Sequence, residues 1–315
     1  MSPRASSATQ GILHHIPPVS VFEPTTAATN TTTTTPPPNL LLWIGGLFDT
    51  YHNVEYPFTL ASRLPTDWSL AQTSLSSAGI GWGTSSLDRD VAEISSIVSY
   101  FRRGGRSKVV LMGHSTGCQD SLHYLCSSSH TATTTKPPMA KVDGVILQAP
   151  VSDAEALVME MGAEKLAMVN SLAQHFMSTG RGEDCLPQSE AAGIFGQCPV
   201  SARRWLSLSS PDGKGQDDYF SSYLSDERLK ATFGKVDVPF LILEGEKDEF
   251  VPEHVDRKAM LARWIKVMKD NKCPVDAGSE ELLAGATHNL NGDPDTVVDG
   301  LCERVIAFLQ NGLSS

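Results

Sequence analysis

The sequence predicts an α/β protein, in which a mostly parallel sheet is covered by helices on both faces. Four short and mainly apolar runs are typical of strands that are buried on both sides: residues 39–44, 108–112, 142–148 and 238–244. Stretches with apolar residues at helical spacing alternate with these runs: residues 91–101, 255–269 and 294–310. Because parallel strands need a long crossover connection, this alternation favours a parallel sheet with helical crossovers.

The remaining elements of the first half follow from shorter patterns. Residues 11–22 hold alternating apolar positions and predict one or two edge strands. A further strand is expected at 69–76. Ser85 and Asp88 offer a capping box in front of the next helix, because a serine three residues before an acid satisfies free N–H groups at a helix start.

In the second half, residues 156–177 indicate a Met-rich helix, and residues 180–199 look irregular. Residues 280–283 are expected to form a weak last strand. The final helix should begin behind Asp293 as its N-cap and end before Gly312, because acids favour helix starts and glycine favours helix ends.

The length of 315 residues allows a large core, and we expect one domain over residues 1–315. Within it, the Thr- and Pro-rich residues 24–38 cannot contribute to a core and predict a flexible surface loop. A second Thr-rich loop is expected at 127–138. Residues 152–215 interrupt the alternation of strand and helix, and we interpret them as an inserted cap.

The charge balance bounds the class of partner. The chain has 25 Lys and Arg against 36 Asp and Glu, a formal net charge of −11. This balance argues against nucleic acid or an anionic membrane as the main partner, and suits a neutral or mildly cationic small substrate better. No apolar run approaches the roughly 20 residues that span a bilayer, and the first residues have no apolar signal-peptide centre. We therefore expect a cytoplasmic protein with free cysteines.

Gly113-His114-Ser115-Thr116-Gly117 directly follows a predicted buried strand. A serine between two glycines at this place indicates a sharp turn from strand to helix, with the hydroxyl exposed at the tip. A Cβ on either flank would collide with neighbouring backbone, which explains the glycines. The pattern predicts Ser115 as a nucleophile, and a plain turn serine is the alternative.

A serine hydroxyl needs a histidine to take its proton and an acid to orient that histidine. Asp248 follows the predicted strand at 238–244, and His288 lies in a loop of small residues before the last helix. The order Ser, Asp, His is that of the α/β-hydrolase fold. The alternatives for the acid are Asp153, Glu246 and Glu249, and those for the histidine are His254 and His175.

The same chemistry needs two N–H donors for the oxyanion of the transition state. We expect one from the backbone of Thr116, which follows the nucleophile. The other is expected from Leu47, because Gly45-Gly46 lets the backbone approach the substrate after the strand at 39–44. No HExxH, CxxC, GxGxxG or Walker-type motif occurs, so neither a metal site nor a cofactor is expected.

With these residues in place, the chain resembles the α/β-hydrolase superfamily from about residue 40 onward. Five motifs make it similar to a fungal and plant hydrolase family that includes the fungal siderophore esterases acting on fusarinine-type siderophores: Trp43-Ile-Gly-Gly-Leu-Phe-Asp49, Gly113-His-Ser-Thr-Gly-Cys-Gln-Asp120, Leu147-Gln-Ala-Pro-Val-Ser-Asp153, Asp218-Tyr-Phe-Ser-Ser222 and Glu249-Phe-Val-Pro252. The resemblance implies a serine esterase that opens ester bonds of ferric fusarinine C or its triacetyl derivative inside the cell and so helps to release iron. The iron belongs to that substrate.

A bulky cyclic ester implies a roomy pocket under the cap. Trp205, Tyr219 and Phe220 are candidates for lining it, with packing in the core of the cap as the alternative. Two other functions remain open from the sequence. One is a general carboxylesterase, thioesterase or lipase-like acylhydrolase, and the other is a catalytically silent hydrolase-fold binding protein.

Overall fold

The computed structural model describes residues 8–26, 36–128 and 139–314 of the chain. Most of the predicted Thr- and Pro-rich loop at 24–38, and most of the second Thr-rich loop at 127–138, lie outside these ranges. Within them, no helix has both the length and the apolar character needed to cross a bilayer.

Seven strands of the described residues form one sheet, in the order β1-β2-β4-β3-β5-β6-β7. Their bounds are β1 Gly11–Ile16, β2 Val19–Pro24, β3 Asn39–Ile44, β4 Trp68–Ser74, β5 Lys108–His114, β6 Gly144–Gln148 and β7 Phe240–Leu243. β1 and β2 form an antiparallel edge, and β4, β3, β5, β6 and β7 run parallel. The predicted α/β fold class with a mostly parallel sheet is confirmed.

Ten α-helices of the described residues connect and follow these strands: α1 Tyr56–Arg63, α2 Leu87–Arg103, α3 Thr116–Ser128, α4 Asp153–Met161, α5 Ala163–Ser178, α6 Gln188–Phe195, α7 Ala202–Ser209, α8 Asp226–Thr232, α9 Arg257–Asp270 and α10 Asp295–Asn311. Helices α4 to α7 lie between β6 and β7, where the sequence predicts an inserted cap. We use the word cap for these four helices, residues 153–209.

The buried side chains form one layer on each face of the sheet. In β3, Leu40, Leu42 and Ile44 pack into one layer, and Leu41 and Trp43 pack into the other. The first layer is covered by α2, α3, α8 and α9, and the second by α1 and α10. Because successive residues of a strand point to opposite faces, a continuously apolar strand serves both layers.

The cap has a core of its own. Leu166, Val169 and Trp205 are buried there together with Trp82 from the loop before α2. The helix predicted at 156–177 is two helices, because Gly162 adopts a φ of 79° that ends α4 and starts α5. This region also contains α6, where the sequence suggested irregular chain.

Two predictions of helix N-caps differ from the structure. Ser86, and not Ser85, caps α2, since its hydroxyl accepts the N–H of Arg89 while Ser85 binds Asp90. The N-cap of α10 is Pro294, and not Asp293 as predicted from the sequence.

The prediction of a weak last strand at 280–283 is wrong. Only one bridge, between Leu283 and Gly245, joins this segment to the sheet side, and a short 3-10 turn over Ala277–Ser279 precedes it. The segment nevertheless runs beside the end of β7, which places the following loop at the carboxyl edge of the sheet.

Candidate active site

The turn between β5 and α3 holds Ser115 in a strained conformation. Its φ of 53° is in the left-handed region, which costs a non-glycine residue about 1 kcal/mol or more. A Cβ on Gly113 would lie 2.2 Å from the carbonyl oxygen of Gly117, and one on Gly117 would lie 2.2 Å from that of Ile44. Only glycine fits at either position, so the sequence pattern Gly-x-Ser-x-Gly is explained by close backbone packing.

The loop after β3 comes very close to this serine. A Cβ on Gly46 would lie 2.6 Å from the Cβ of Ser115 and 3.1 Å from its hydroxyl oxygen. The next residue is Leu47, and Thr116 opens α3 directly after Ser115. The described residues offer no acceptor to the backbone N–H of either residue. Both predicted oxyanion donors therefore lie beside the predicted nucleophile with their hydrogen-bonding capacity unused.

Asp248 and His288 form a buried pair at the same edge of the sheet. His288 Nδ1 lies 2.8 Å from Asp248 Oδ2, and the backbone N–H of Phe250 donates to the other carboxylate oxygen at 2.9 Å. Asp248 is fully buried, and His288 is 6% exposed. Because a carboxylate can only accept, Nδ1 carries the proton and Nε2 presents a lone pair, which is the tautomer of a general base.

The alternatives named from the sequence have other positions or other contacts in the structure. His175 and His254 are exposed, and neither lies in the lining of the cavity that holds Ser115. The carboxylate of Asp153 accepts a hydrogen bond from Gln119 Nε2 at 2.8 Å. Glu246 accepts the backbone N–H of Gly285, so it shapes the loop before His288 and does not orient the imidazole.

Two residues that the sequence analysis did not assign to the site hold the backbone of His288. The carboxylate of Glu249 accepts the His288 N–H at 3.0 Å, and Gln148 Nε2 donates to the His288 carbonyl at 3.0 Å. Gln148 ends β6, one strand from Ser115, and this position was the only signal that could have pointed to it. Glu249 was considered there only as an alternative acid.

Gln148 also connects the loop of His288 to the turn that holds Ser115. Since its amide nitrogen donates to His288, its Oε1 accepts the Nδ1–H of His114, at 2.6 Å. Burial lowers the pKa of His114 to about 3, and the neighbouring His288 adds to the shift. His114 is therefore neutral at physiological pH and acts as a packed hydrogen-bond donor.

Ser115 and His288 line one cavity of about 640 Å³ between the sheet edge and the cap. Its apolar walls come from the loop after β3, the cap and the loop after β7: Leu47, Phe48, Leu157, Met159, Phe195, Leu208 and Phe250. A cavity of this size with a few convergent polar groups is typical of small-molecule sites. In the part of the chain that the structure describes, no group of three or more His, Cys, Asp or Glu side chains is arranged to hold a metal ion.

Trp205, Tyr219 and Phe220 do not lie in the lining of this cavity. Trp205 is fully buried in the cap, where its indole donates to Asn170 Oδ1 at 2.7 Å. Tyr219 and Phe220 pack in the sheet layer under α3 and α9, and the Tyr219 hydroxyl contacts His123 at 2.7 Å. Core packing, the alternative considered from the sequence, describes all three, because large aromatics are the side chains that best fill a core.

Comparisons with known proteins find relatives that match most of the chain. Residues 1–310 match a family model described as a protein of unknown function (DUF1749). The chain is 36% identical over 325 residues to the fusarinine C esterase sidJ of Aspergillus fumigatus, covering 90% of each protein. It is also 36% identical over 301 residues to the esterase AN6793 of Emericella nidulans, covering 80% of each.

Among solved structures, the chain is similar to the siderophore hydrolase EstB from Aspergillus fumigatus. The TM-score is 0.81 at 33% sequence identity, and the match covers 98% of this chain and 99% of that structure.

Proposed function

The chain belongs to the DUF1749 family, as a carboxylic ester hydrolase of the α/β-hydrolase superfamily related to fungal siderophore esterases, and on this premise we propose that Ser115, His288 and Asp248 form its catalytic triad. The observation that carries the proposal is the buried hydrogen bond between His288 Nδ1 and Asp248 Oδ2, which leaves the Nε2 lone pair free in the cavity of Ser115.

The reaction starts when His288 Nε2 takes the proton of Ser115 and the hydroxyl oxygen attacks the ester carbonyl. Asp248 accepts the Nδ1–H throughout and stabilises the imidazolium. The negative charge on the carbonyl oxygen is met by the N–H groups of Leu47 and Thr116, each of which contributes about 3 kcal/mol to transition-state stabilisation in such sites.

The tetrahedral intermediate then breaks its bond to the alcohol oxygen, which receives its proton from His288. This leaves an acyl group on Ser115. A water molecule gives a proton to His288 and attacks the acyl carbon, and the second intermediate releases the carboxylic acid and restores the serine. As the bond between the acyl carbon and Ser115 Oγ breaks, His288 returns its proton to Oγ, and the water supplies the added oxygen, so atoms and charges balance.

We further propose that the substrate is a fusarinine-type ferric siderophore, and that its hydrolysis in the cytoplasm loosens the chelate and helps to release iron. The two relatives named for fusarinine C or for a siderophore support this substrate class. The apolar walls of the cavity fit a substrate that presents one ester arm to Ser115 while its bulk contacts the cap.

The test is product analysis of ferric fusarinine C and its triacetyl derivative by liquid chromatography with mass detection. Wild type should release linear and monomeric fragments, and Ser115→Ala should release none. Ser96→Ala is a matched control, because Ser96 is exposed on α2 and donates only to the carbonyl of Ala92. It should behave as wild type.

Other outcomes separate the rival functions. Turnover of simple p-nitrophenyl esters without turnover of the siderophores would favour a general carboxylesterase or thioesterase. Failure of a fluorophosphonate probe to label Ser115 in the folded protein would favour a silent binding protein. Ester turnover retained by Ser115→Ala would refute the assignment of the nucleophile.

A further inference from the structure

The catalytic cavity is acidic in its own lining. Four of its described lining residues carry carboxyl groups, two carry imidazoles, and none is Lys or Arg: Asp49, Asp153, Glu160, Glu249, His114 and His288. An anionic ester would find no Lys or Arg in this lining, whereas an ammonium group would meet several carboxyl oxygens.

Two of these four carboxyl groups accept backbone hydrogen bonds within the fold. Asp49 accepts the backbone N–H of Gly46 at 2.8 Å, and Glu249 accepts the backbone N–H of His288. Glu160 is exposed at the outer end of α4, where water screens it. Asp153 is different, because it opens α4 at the base of the cap and is largely shielded from solvent.

One oxygen of Asp153, Oδ2, accepts from Gln119 Nε2 at 2.8 Å, and no described residue donates to Oδ1. Nor does a cation neutralise the group. Arg204, in α7, gives its Nη1 to both oxygens of Asp217, at 2.6 and 2.8 Å, and that pair is buried. Asp153 thus keeps one acceptor oxygen free in the cavity that also holds Ser115.

We propose that Asp153 is a specificity-determining residue that binds an ammonium group of the substrate, so that the site prefers esters carrying an ammonium group over isosteric neutral esters. The inference rests on the proposed esterase function and names the charge of its substrate. Asp153 follows strand β6, so it lies at the same carboxyl edge of the sheet as the nucleophile turn after β5. An ammonium near the acyl chain can therefore reach it while the carbonyl contacts Ser115.

Because Asp153 can lose its proton, the preference for an ammonium ester should depend on pH. Burial and the nearby Asp217 raise its pKa to about 8, and Arg204 only partly opposes the shift. The charged and polar groups facing it from the packed elements are Gln119 and Asp120 of α3, Arg204 of α7, and Asp217 and Asp218 after α7. The free group is mostly neutral at pH 7, so the preference for an ammonium ester should grow as the pH rises from 6.5 to 8.5.

The experiment compares two esters that differ only in one terminal group, p-nitrophenyl 6-aminohexanoate and p-nitrophenyl heptanoate. The measured quantity is the ratio of their kcat/KM values, because effects on the common chemistry cancel in it. The proteins are wild type, Asp153→Asn and the control Glu164→Gln, since Glu164 is an exposed acid at the start of α5 and is absent from the described lining.

In wild type we expect a ratio of about 10 in favour of the ammonium ester, the size of one charge-assisted hydrogen bond, rising with pH. Asp153→Asn should bring the ratio close to 1 and remove its pH dependence, and Glu164→Gln should keep the wild-type ratio. A wild-type ratio at or below 1, or a ratio that Asp153→Asn leaves unchanged, would overturn the inference.

Inhibition of the wild-type protein tests the same point without a variant, in case Asp153→Asn does not fold. Hexylammonium should compete with p-nitrophenyl heptanoate at about tenfold lower concentration than 1-hexanol or hexanoate. Equal inhibition by all three would overturn the inference. Hydrolysis of neither ester by wild type would overturn the esterase proposal itself, and is thus distinct from a ratio of 1.

Discussion

Replacing Asp248 by Asn should prevent His288 from acting as the general base, while every contact of the Asp248 side chain is kept. In the wild type, Oδ2 accepts from His288 Nδ1 and Oδ1 accepts from the backbone N–H of Phe250. Asn has one oxygen and one NH2 group. Because the Phe250 N–H can only donate, it holds the Asn oxygen, and the NH2 group then faces Nδ1.

An NH2 group beside Nδ1 forces that nitrogen to accept, so the imidazole proton moves to Nε2. His288 then presents an N–H to Ser115 instead of a lone pair. In another Ser-His-Asp enzyme, the same change of tautomer costs about 10⁴-fold in kcat, equal to about 5.5 kcal/mol of barrier. We expect a loss of that order for Asp248→Asn, with KM changing far less.

Steady-state hydrolysis of p-nitrophenyl acetate measures this loss, and circular dichroism checks the fold. Asp256→Asn is the matched control, because Asp256 caps α9 by accepting the Ala259 N–H, and Asn caps a helix equally well. It should keep the wild-type kcat. A folded Asp248→Asn protein within tenfold of wild type would refute the reasoning, and would direct attention to Asp153 or Glu249 as the acid.

Three other changes have defined outcomes. Gln148→Leu removes the bonds that hold the loop of the catalytic imidazole, so kcat should fall about 100-fold with little change in KM, measured by steady-state kinetics. Gly46→Ala adds a Cβ 2.6 Å from that of Ser115, and kcat/KM should fall about 100-fold, whereas Gly300→Ala, where a Cβ meets nothing within 4 Å, should keep full turnover. Glu244 is fully buried, its carboxyl oxygens have no hydrogen-bond partner among the described residues, and burial raises its pKa well above 4.5. Folding therefore takes up a proton above pH 4.5, and wild-type stability should fall as the pH rises. Relative to wild type, Glu244→Gln should gain about 1.4 kcal/mol per pH unit between pH 5.5 and 7, measured by urea unfolding.

For each of these variants, a contrary result would have a specific meaning. If Gln148→Leu raised KM and left kcat unchanged, the glutamine would contact substrate and would not position the histidine. Full turnover in Gly46→Ala would show that the loop after β3 does not need its close approach to Ser115. A stability difference between Glu244→Gln and wild type that is independent of pH would mean that Glu244 is ionised in the folded protein.

The strands and the nucleophile turn could be predicted because local chemistry determines them. A run such as 109–112 is apolar at every position, and only burial on both faces accommodates it. The glycines around Ser115 reflect steric contacts that any sharp turn from strand to helix would make. The order Ser115, Asp248, His288 along the chain carried the expectation of the fold class, which the seven-stranded sheet confirms.

Other features depended on which distant segments meet. The sequence favoured Asp248 but left Asp153 as an alternative, since both follow a strand; of the two, the structure brings only Asp248 to the His288 imidazole. Gln148 and Glu249 gave no sequence signal for their bonds to the His288 backbone. The aromatic residues expected in the pocket pack in cores instead, because an aromatic side chain has the same composition signal in a core and in a site.

The sequence by itself determined the sheet, the strained turn at Ser115 and the class of chemistry, because these follow from the spacing of apolar residues and from sterics within a few residues. Only the tertiary structure decided which carboxylate orients His288 and which one is left free in the cavity. That choice depends on hydrogen-bond distances of about 3 Å between residues far apart in the chain, and no local pattern encodes such distances.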